Sequence, residues 1–96
     1  MNGPWKFGDV VQTFAPRVAR ESKEAVVIDT GSPVSGDGNV YRYRVLFVRD
    51  GAPWGAFNIY TNEADKRGQK NEAEVYELLD AYRKLEAVRW ANGVMP

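Results

Sequence analysis

Alternating apolar and polar side chains over residues 41–49 (YRYRVLFVR) predict the central β-strand of this chain. One face of the strand carries Tyr41, Tyr43, Val45 and Phe47, and the other carries Arg42, Arg44, Leu46 and Val48. The second face is therefore charged in its first half and apolar in its second half. Because the arginines favour water and the apolar side chains need cover, we expect another element to pack over Leu46 and Val48.

A β-hairpin is predicted to follow, with residues 50–54 (DGAPW) as the connection and residues 56–60 as the return strand. Asp50 and Gly51 are typical of a turn, and Pro53 should limit the strand because proline has no N–H for a sheet ladder. Phe57 and Ile59 are expected to form the buried face of the return strand.

Two shorter strands are predicted earlier in the chain, over residues 10–14 and 25–28. The aromatic side chains around the first strand, which are Trp5, Phe7 and Phe14, are expected in the core. Residues 15–24 are polar and of mixed charge, and we interpret them as a loop in preference to a short helix that begins at Pro16.

Residues 31–39 (GSPVSGDGN) predict a mobile hairpin loop, because they contain three glycines and a proline. The glycines could cradle a phosphate, and Asp37 with Asn39 could bind calcium. Their spacing matches neither a Walker loop nor an EF-hand. We therefore predict no phosphate or metal site here.

The C-terminal part of the chain predicts one long helix over residues 72–91. Asn71 can cap it and Glu74 completes a capping box, while Asn92 and Gly93 should stop it. An apolar stripe follows the helical repeat and is suited to cover Leu46 and Val48; it comprises Val75, Leu78, Leu79, Tyr82 and Leu85. Part of the stripe also fits a heptad spacing, so self-association into a weak homodimer is an alternative to a monomer.

A chain of 96 residues fits one domain. We predict a β-rich part over residues 1–61, a linker over 62–70 and the helical segment over 71–93. The chain has no cysteine and no histidine. This argues against a function that depends on zinc chemistry or on acid–base catalysis by histidine. We expect no enzyme activity, no metal and no cofactor.

Charge and hydropathy restrict the partners further. Thirteen basic and 13 acidic residues cancel, whereas strong nonspecific nucleic-acid binding usually needs a basic excess. No segment approaches the 18 or so apolar residues of a membrane span, and Pro4, Lys6 and Asp9 interrupt the apolar run that a signal peptide requires. We expect a cytoplasmic protein without membrane contact, and the small size would fit a phage or mobile-element protein.

Three segments resemble small SH3-like barrels of the KOW or Tudor kind: FGDVV at residues 7–11, AVVIDTG at 25–31 and YRVLF at 43–47. The resemblance covers about 55 residues and implies an α+β protein, with a small antiparallel β-barrel or strongly bent sheet of four or five strands and one long C-terminal helix. It also implies a domain that binds protein, peptide or nucleic acid and rarely catalyses. The chain lacks the acidic run of peptide-binding SH3 domains and the basic excess of ribosomal KOW domains.

The function predicted first is a non-catalytic interaction module, a small regulator or inhibitor that binds a larger protein through the hairpin end. Trp54 should anchor this surface, since tryptophan is enriched at binding hot spots, although it could instead fold back and plug the barrel end. The alternative is binding of single-stranded nucleic acid through Arg42, Arg44 and Arg49, with Tyr41 or Trp54 stacked on bases. A methyl-lysine cage would need several convergent aromatic residues, and the candidates are Tyr41, Tyr43, Trp54 and Phe57.

Overall fold

The computed structural model describes residues 4–14, 23–34 and 36–91, which form one antiparallel β-sheet and a long C-terminal α-helix. The strands are β1 (Asp9–Thr13), β2 (Glu24–Val27), β3 (Ser32–Val34), β4 (Asp37–Arg49), β5 (Ala52–Tyr60) and β6 (Ala64–Gln69). A 3₁₀ turn (Thr61–Glu63) joins β5 to β6, and the helix α1 spans Glu72–Ala91. The predicted α+β class with a C-terminal helix is confirmed.

The sheet is open and is not closed into a barrel. β4 lies at its centre because its 13 residues are long enough to pair with three strands. Its start pairs with β3 and its end with β2 along one edge, while β5 pairs along the other edge. β2 pairs in turn with β1, and β1 pairs with β6, so β3, β5 and β6 each have one unpaired edge in the described sheet.

Two details of the predicted β-region need correction. The segment 62–70 is not only a linker, since β6 lies within it and pairs with β1. Residues 31–39 contain β3 and the start of β4, so the loop between them is short. The loop predicted over 15–24 falls almost entirely outside the described residues.

The hairpin connection is shorter than predicted. Only Asp50 and Gly51 separate the paired residues Arg49 and Ala52, and both turn residues have positive φ, +52° and +78°, as a two-residue hairpin turn requires. Pro53 is accommodated within β5 because it lies beside a register shift on an outer strand, where a missing N–H is tolerated.

The sheet buries apolar side chains on both faces. The first face, called here the Tyr43 face, is built mainly from Tyr43, Val45, Phe47 and Ile59, all of them at most 2% exposed. Trp5 closes this core, because its ring lies 5.1 Å from that of Tyr43. Phe7 and Phe14 are 36% and 56% exposed, so the prediction of a core position is wrong for these two.

The opposite face, called here the helix face, is covered by α1. Val75 is fully buried against Val26 and Val48, with Leu78 and Leu79 packed at the margin, and this confirms the predicted docking over Val48. Tyr82 and Leu85, also predicted for this contact, are half-buried and lie outside the cluster. The predicted capping box is present, since the Glu74 N–H donates to Asn71 Oδ1 at 2.9 Å and the Asn71 N–H to Glu74 Oε1 at 3.4 Å. Leu46 is also fully buried.

Candidate functional site

Trp54 lies near the hairpin end and is half-buried. Its ring stacks on Phe47 with the centroids 5.3 Å apart and the planes at 25°. The guanidinium carbon of Arg49 lies 5.6 Å from the Trp54 ring centroid, within the range of a cation–π contact. Trp54 thus packs on the core but keeps part of its ring in solvent. Its exposure is intermediate between the two alternatives predicted from the sequence, an exposed anchor and a buried plug of the barrel end.

Phe57 forms a group of three aromatic rings together with Phe47 and Trp54. Its ring lies 5.3 Å from Phe47 and 5.9 Å from Trp54, and it folds over Gly55, where an added Cβ would be only 2.6 Å from the ring. Phe57 is 47% exposed, so its predicted burial is wrong. Alternation assigns the correct face of β5 to Phe57 but cannot show that this face is left uncovered at that point.

We name Phe47, Trp54 and Phe57, with Arg49 over the tryptophan, the hairpin cluster. At Phe47, β4 pairs with β2 on one side and with β5 on the other, and this pairing holds the strands that carry the rings. Little side-chain rotamer entropy therefore remains to be lost when a partner covers the rings. Aromatic and arginine side chains of this kind dominate binding hot spots. The cluster can therefore supply an apolar contact with one fixed positive charge at its border.

Arg42 and Arg44 lie elsewhere, on the helix face of β4 beyond the part that α1 covers. Both are exposed, and within the described ranges neither has an ion-pair partner. Their cross-strand neighbours on β5 are Tyr60 and Asn58, respectively. The arginines thus form a positive surface that is separated from the aromatic rings by the thickness of the sheet.

Tyr41 and Tyr43 are buried, which removes them from any binding surface. The Tyr43 hydroxyl donates to the Trp5 carbonyl at 3.0 Å and accepts from the Trp5 N–H at 3.2 Å. Burial raises the pKa of the Tyr43 phenol, and the Trp5 hydrogen bond opposes this only in part. Two of the four aromatic residues proposed for a methyl-lysine cage are therefore core residues, and the cage is not assembled.

The five residues predicted as one site consequently fall into three places. Trp54 and Arg49 belong to the hairpin cluster, Arg42 and Arg44 to the opposite face, and Tyr41 to the core. The sequence pattern places Phe57 among the cage candidates but not in the predicted binding site. The glycine two residues earlier, Gly55, is the signal that could have drawn attention to it, since a glycine within a strand often leaves room for a neighbour.

An open groove of about 1110 Å³ lies at the start of α1. Its charged lining includes Lys6 and Lys70 together with Asp29, Glu72 and Glu74. Because the two signs are mixed, the groove does not select a ligand of one charge. It therefore offers weaker grounds for a site than the hairpin cluster does.

The buried carboxylate of Asp9 has a structural role. Its Oδ2 accepts from the Lys6 N–H at 2.7 Å, and its Oδ1 lies 3.5 Å from Lys66 Nζ. Within the described ranges, no three carboxylates are grouped so that they could hold a metal ion. Nor does any described helix combine the length and apolar character needed to cross a bilayer.

No protein-family model matches the chain, and neither a curated protein nor a solved structure matches it. The arrangement of the residues themselves is therefore the basis for a functional proposal.

Proposed function

We propose that this protein is a non-catalytic interaction module, a small regulator or inhibitor that binds a larger protein through the hairpin cluster. The observation that carries the proposal is the exposure of Phe57. It is 47% exposed, whereas Tyr43, Phe47 and Ile59 on the same face are at most 2% exposed.

The chemistry of the cluster supports a protein partner. Phe57 and the solvent-facing part of Trp54 provide apolar area on a hairpin that is held by β2 and by the core. Arg49 adds a cation that can meet a carboxylate at the rim. The chain as a whole carries no net charge, so long-range attraction to a polyanion does not dominate its association.

Binding of single-stranded nucleic acid is the second candidate, and it is favoured by Arg42 and Arg44, which are exposed and have no ion-pair partner among the described residues. Such binding combines phosphate contacts with stacking of bases on aromatic rings. Here the arginine pair and the exposed rings of the hairpin cluster occupy opposite faces, so one strand could not use both at the same point. We therefore rank it below protein binding.

The relation to SH3-like barrels of the KOW or Tudor kind remains part of this proposal. It is supported by the antiparallel pairing of all strands and by the long central hairpin. The sheet of this protein is open, and this distinguishes it from a closed barrel of that kind.

Photo-crosslinking from two matched phenylalanines tests the proposal. Benzoylphenylalanine replaces Phe57 in one variant and Phe14, which is 56% exposed and makes no ring contact with the hairpin cluster, in the other. In a lysate of the native host, we expect position 57 alone to give a discrete protein adduct that excess wild-type protein suppresses. Equal adducts from both positions, or a nuclease-sensitive adduct at position 57, would count against the proposal.

A further inference from the structure

The outer edge of β5 is open over a short, defined stretch. β5 pairs with β4 along one edge, and no strand in the described part of the chain pairs with its other edge. An unpaired edge presents backbone N–H and C=O groups that can accept another strand. The question is which of these groups remain available.

The hydrogen bonds of β4 decide which β5 residues point outwards. The Arg44 carbonyl accepts from the Ile28 N–H on the β2 side, at 3.0 Å, so Arg44 directs its backbone groups away from β5. Its antiparallel partner Asn58 must then direct its own groups away from β4. Because the direction alternates along a strand, Ala56 points outwards as well.

Side chains close both ends of this edge. Arg89 donates from Nη2 to the Trp54 carbonyl at 3.1 Å, and the Tyr60 N–H donates to Glu63 Oε1 at 2.8 Å. Between them the outward N–H and C=O groups of Ala56 and Asn58 have no partner in the described part of the chain. Four backbone groups are thus available at the point where Phe57 is exposed.

We propose that an extended segment of the partner protein binds here as an added β-strand, hydrogen-bonded to Ala56 and Asn58. This inference rests on the proposed function and specifies how the partner is held. Strand addition obtains its affinity from main-chain hydrogen bonds and its specificity from alternate side chains.

The two faces of β5 define the chemistry of the added strand. A residue opposite Phe57 lies on the Tyr43 face against the exposed ring, and it should be apolar. Residues opposite Ala56 and Asn58 lie on the helix face, two strand spacings or about 9.5 Å from β4, within reach of the long side chain of Arg44. These residues should be acidic, because Arg44 lacks an ion-pair partner in the described residues.

Charge complementarity favours this partner over a second copy of the same chain. A second β5 would present Ala56, Asn58 and Tyr60 on the helix face, and these side chains include no carboxylate. A homodimer at this edge would leave Arg44 unpaired.

A designed peptide provides the probe. Its sequence Thr-Val-Glu-Val-Glu-Val-Thr, blocked at both ends, places valine opposite Phe57 and the glutamates opposite Ala56 and Asn58. The control peptide carries lysine in place of both glutamates. Both are added at about 2 mM to the ¹⁵N-labelled full chain, because one short strand is expected to bind with a Kd near 1 mM.

Amide hydrogen exchange is the readout. The amides of Ala56 and Asn58 should exchange rapidly in the free protein and about threefold more slowly with the acidic peptide, because about 2 mM peptide and a Kd near 1 mM leave about one third of the protein free. The amides of Phe57 and Ile59, which point to β4, should be protected throughout. No slowing at Ala56 and Asn58, or equal slowing by the lysine peptide, would overturn the proposal.

Three variants separate the edge from its surroundings. Asn58→Pro removes an outward N–H together with the amide side chain, a change that an edge strand tolerates, and should weaken acidic-peptide binding about tenfold. Arg44→Glu should abolish the preference for the acidic peptide. Arg67→Glu, a charge reversal of an exposed arginine on β6, should leave both peptide affinities unchanged; an equal loss in Arg67→Glu would contradict the proposal.

Two results overturn the edge proposal in distinguishable ways. Slowed exchange at Ala56 and Asn58 that grows with protein concentration, without peptide, would assign the edge to a second copy. If the adduct from position 57 forms with undiminished yield in an Asn58→Pro background that melts like the wild type, the protein-binding function stands and strand addition is wrong. Absence of the position-57 adduct in the otherwise wild-type chain, together with binding of the acidic peptide, would leave the edge valid and remove the proposed function.

Discussion

Truncation of Val75 measures how much of the stability depends on docking of α1. Val75 is the only α1 residue that is fully buried in the described helix, and its Cγ2 lies 3.5 Å from where a Cβ on Gly8 would be. Val75→Ala removes two buried carbons, worth about 1.6 kcal/mol in transfer free energy. The cavity adds to this cost, while the better helix propensity of alanine returns roughly 0.5 kcal/mol. We expect a net loss of about 1.5 to 3 kcal/mol in the free energy of unfolding.

Urea denaturation followed by circular dichroism checks this value, with Val88→Ala as the matched control. The control makes the same chemical change on the same helix at a position that is 57% exposed, so it should stay within about 0.5 kcal/mol of wild type. A loss of about 2 kcal/mol should lower the Tm of Val75→Ala by roughly 8 to 16 °C. If both variants lose less than about 0.5 kcal/mol, α1 does not dock on the sheet as described.

Three further predictions concern the core, the site and the helix cap. Burial raises the pKa of the Tyr43 phenol above its ordinary value of 10.0, so the folded state holds this proton more tightly than the unfolded state. The resulting contribution to the free energy of unfolding is full below pH 10 and is lost as the pH rises through the folded pKa. Tyr43→Phe should flatten this decline of stability with pH in urea titrations, and an unchanged dependence on pH would contradict this. Gly55→Ala should displace the Phe57 ring, which lies 2.6 Å from the added Cβ, and an unperturbed Phe57 ring in ¹³C spectra of the variant would refute the close contact. Asn71→Ala should cost about 1 kcal/mol of stability, and Asn71→Asp, which keeps the capping oxygen, should restore it; equal losses in thermal melts of both would argue against the cap.

The helix and the central strand could be predicted because several local signals agree there. The capping pair Asn71 and Glu74 and the apolar stripe that starts at Val75 all indicate the same helix, and α1 has the predicted bounds. The change of character along β4, from Arg44 to Leu46, likewise indicated where α1 would cover the sheet. Agreement between propensity, capping and apolar pattern is what makes a local prediction reliable.

Outer strands were harder to predict because they lack the apolar alternation of a buried strand. β6 (ADKRGQ) buries only Ala64, and its charges are those that keep an edge from pairing with other chains. The early start of β5 was missed because Pro53 argues against a strand unless its edge position is known. Closure of the sheet depends on long-range pairing, which no local pattern in β5 or β6 specifies.

The site could be predicted in part. Trp54 lies near the hairpin end as predicted, and its contact with Arg49 follows from the short turn between β4 and β5. The exposure of Phe57 depends on what covers the Tyr43 face, and this is a tertiary property. Separation of Arg42 and Arg44 from the rings follows from strand alternation once Trp54 is known to stack on Phe47.

The affinity of the protein captured from position 57 for two matched variants tests the central claim most directly. Phe57→Ser and Phe14→Ser make the same change at two exposed sites, and only the first removes a ring of the hairpin cluster. Titration calorimetry should show an affinity loss of about 30-fold or more for Phe57→Ser, as for a hot spot of about 2 kcal/mol, and a loss below about twofold for Phe14→Ser. Equal losses for the two variants, or an unchanged affinity for Phe57→Ser, would contradict the account.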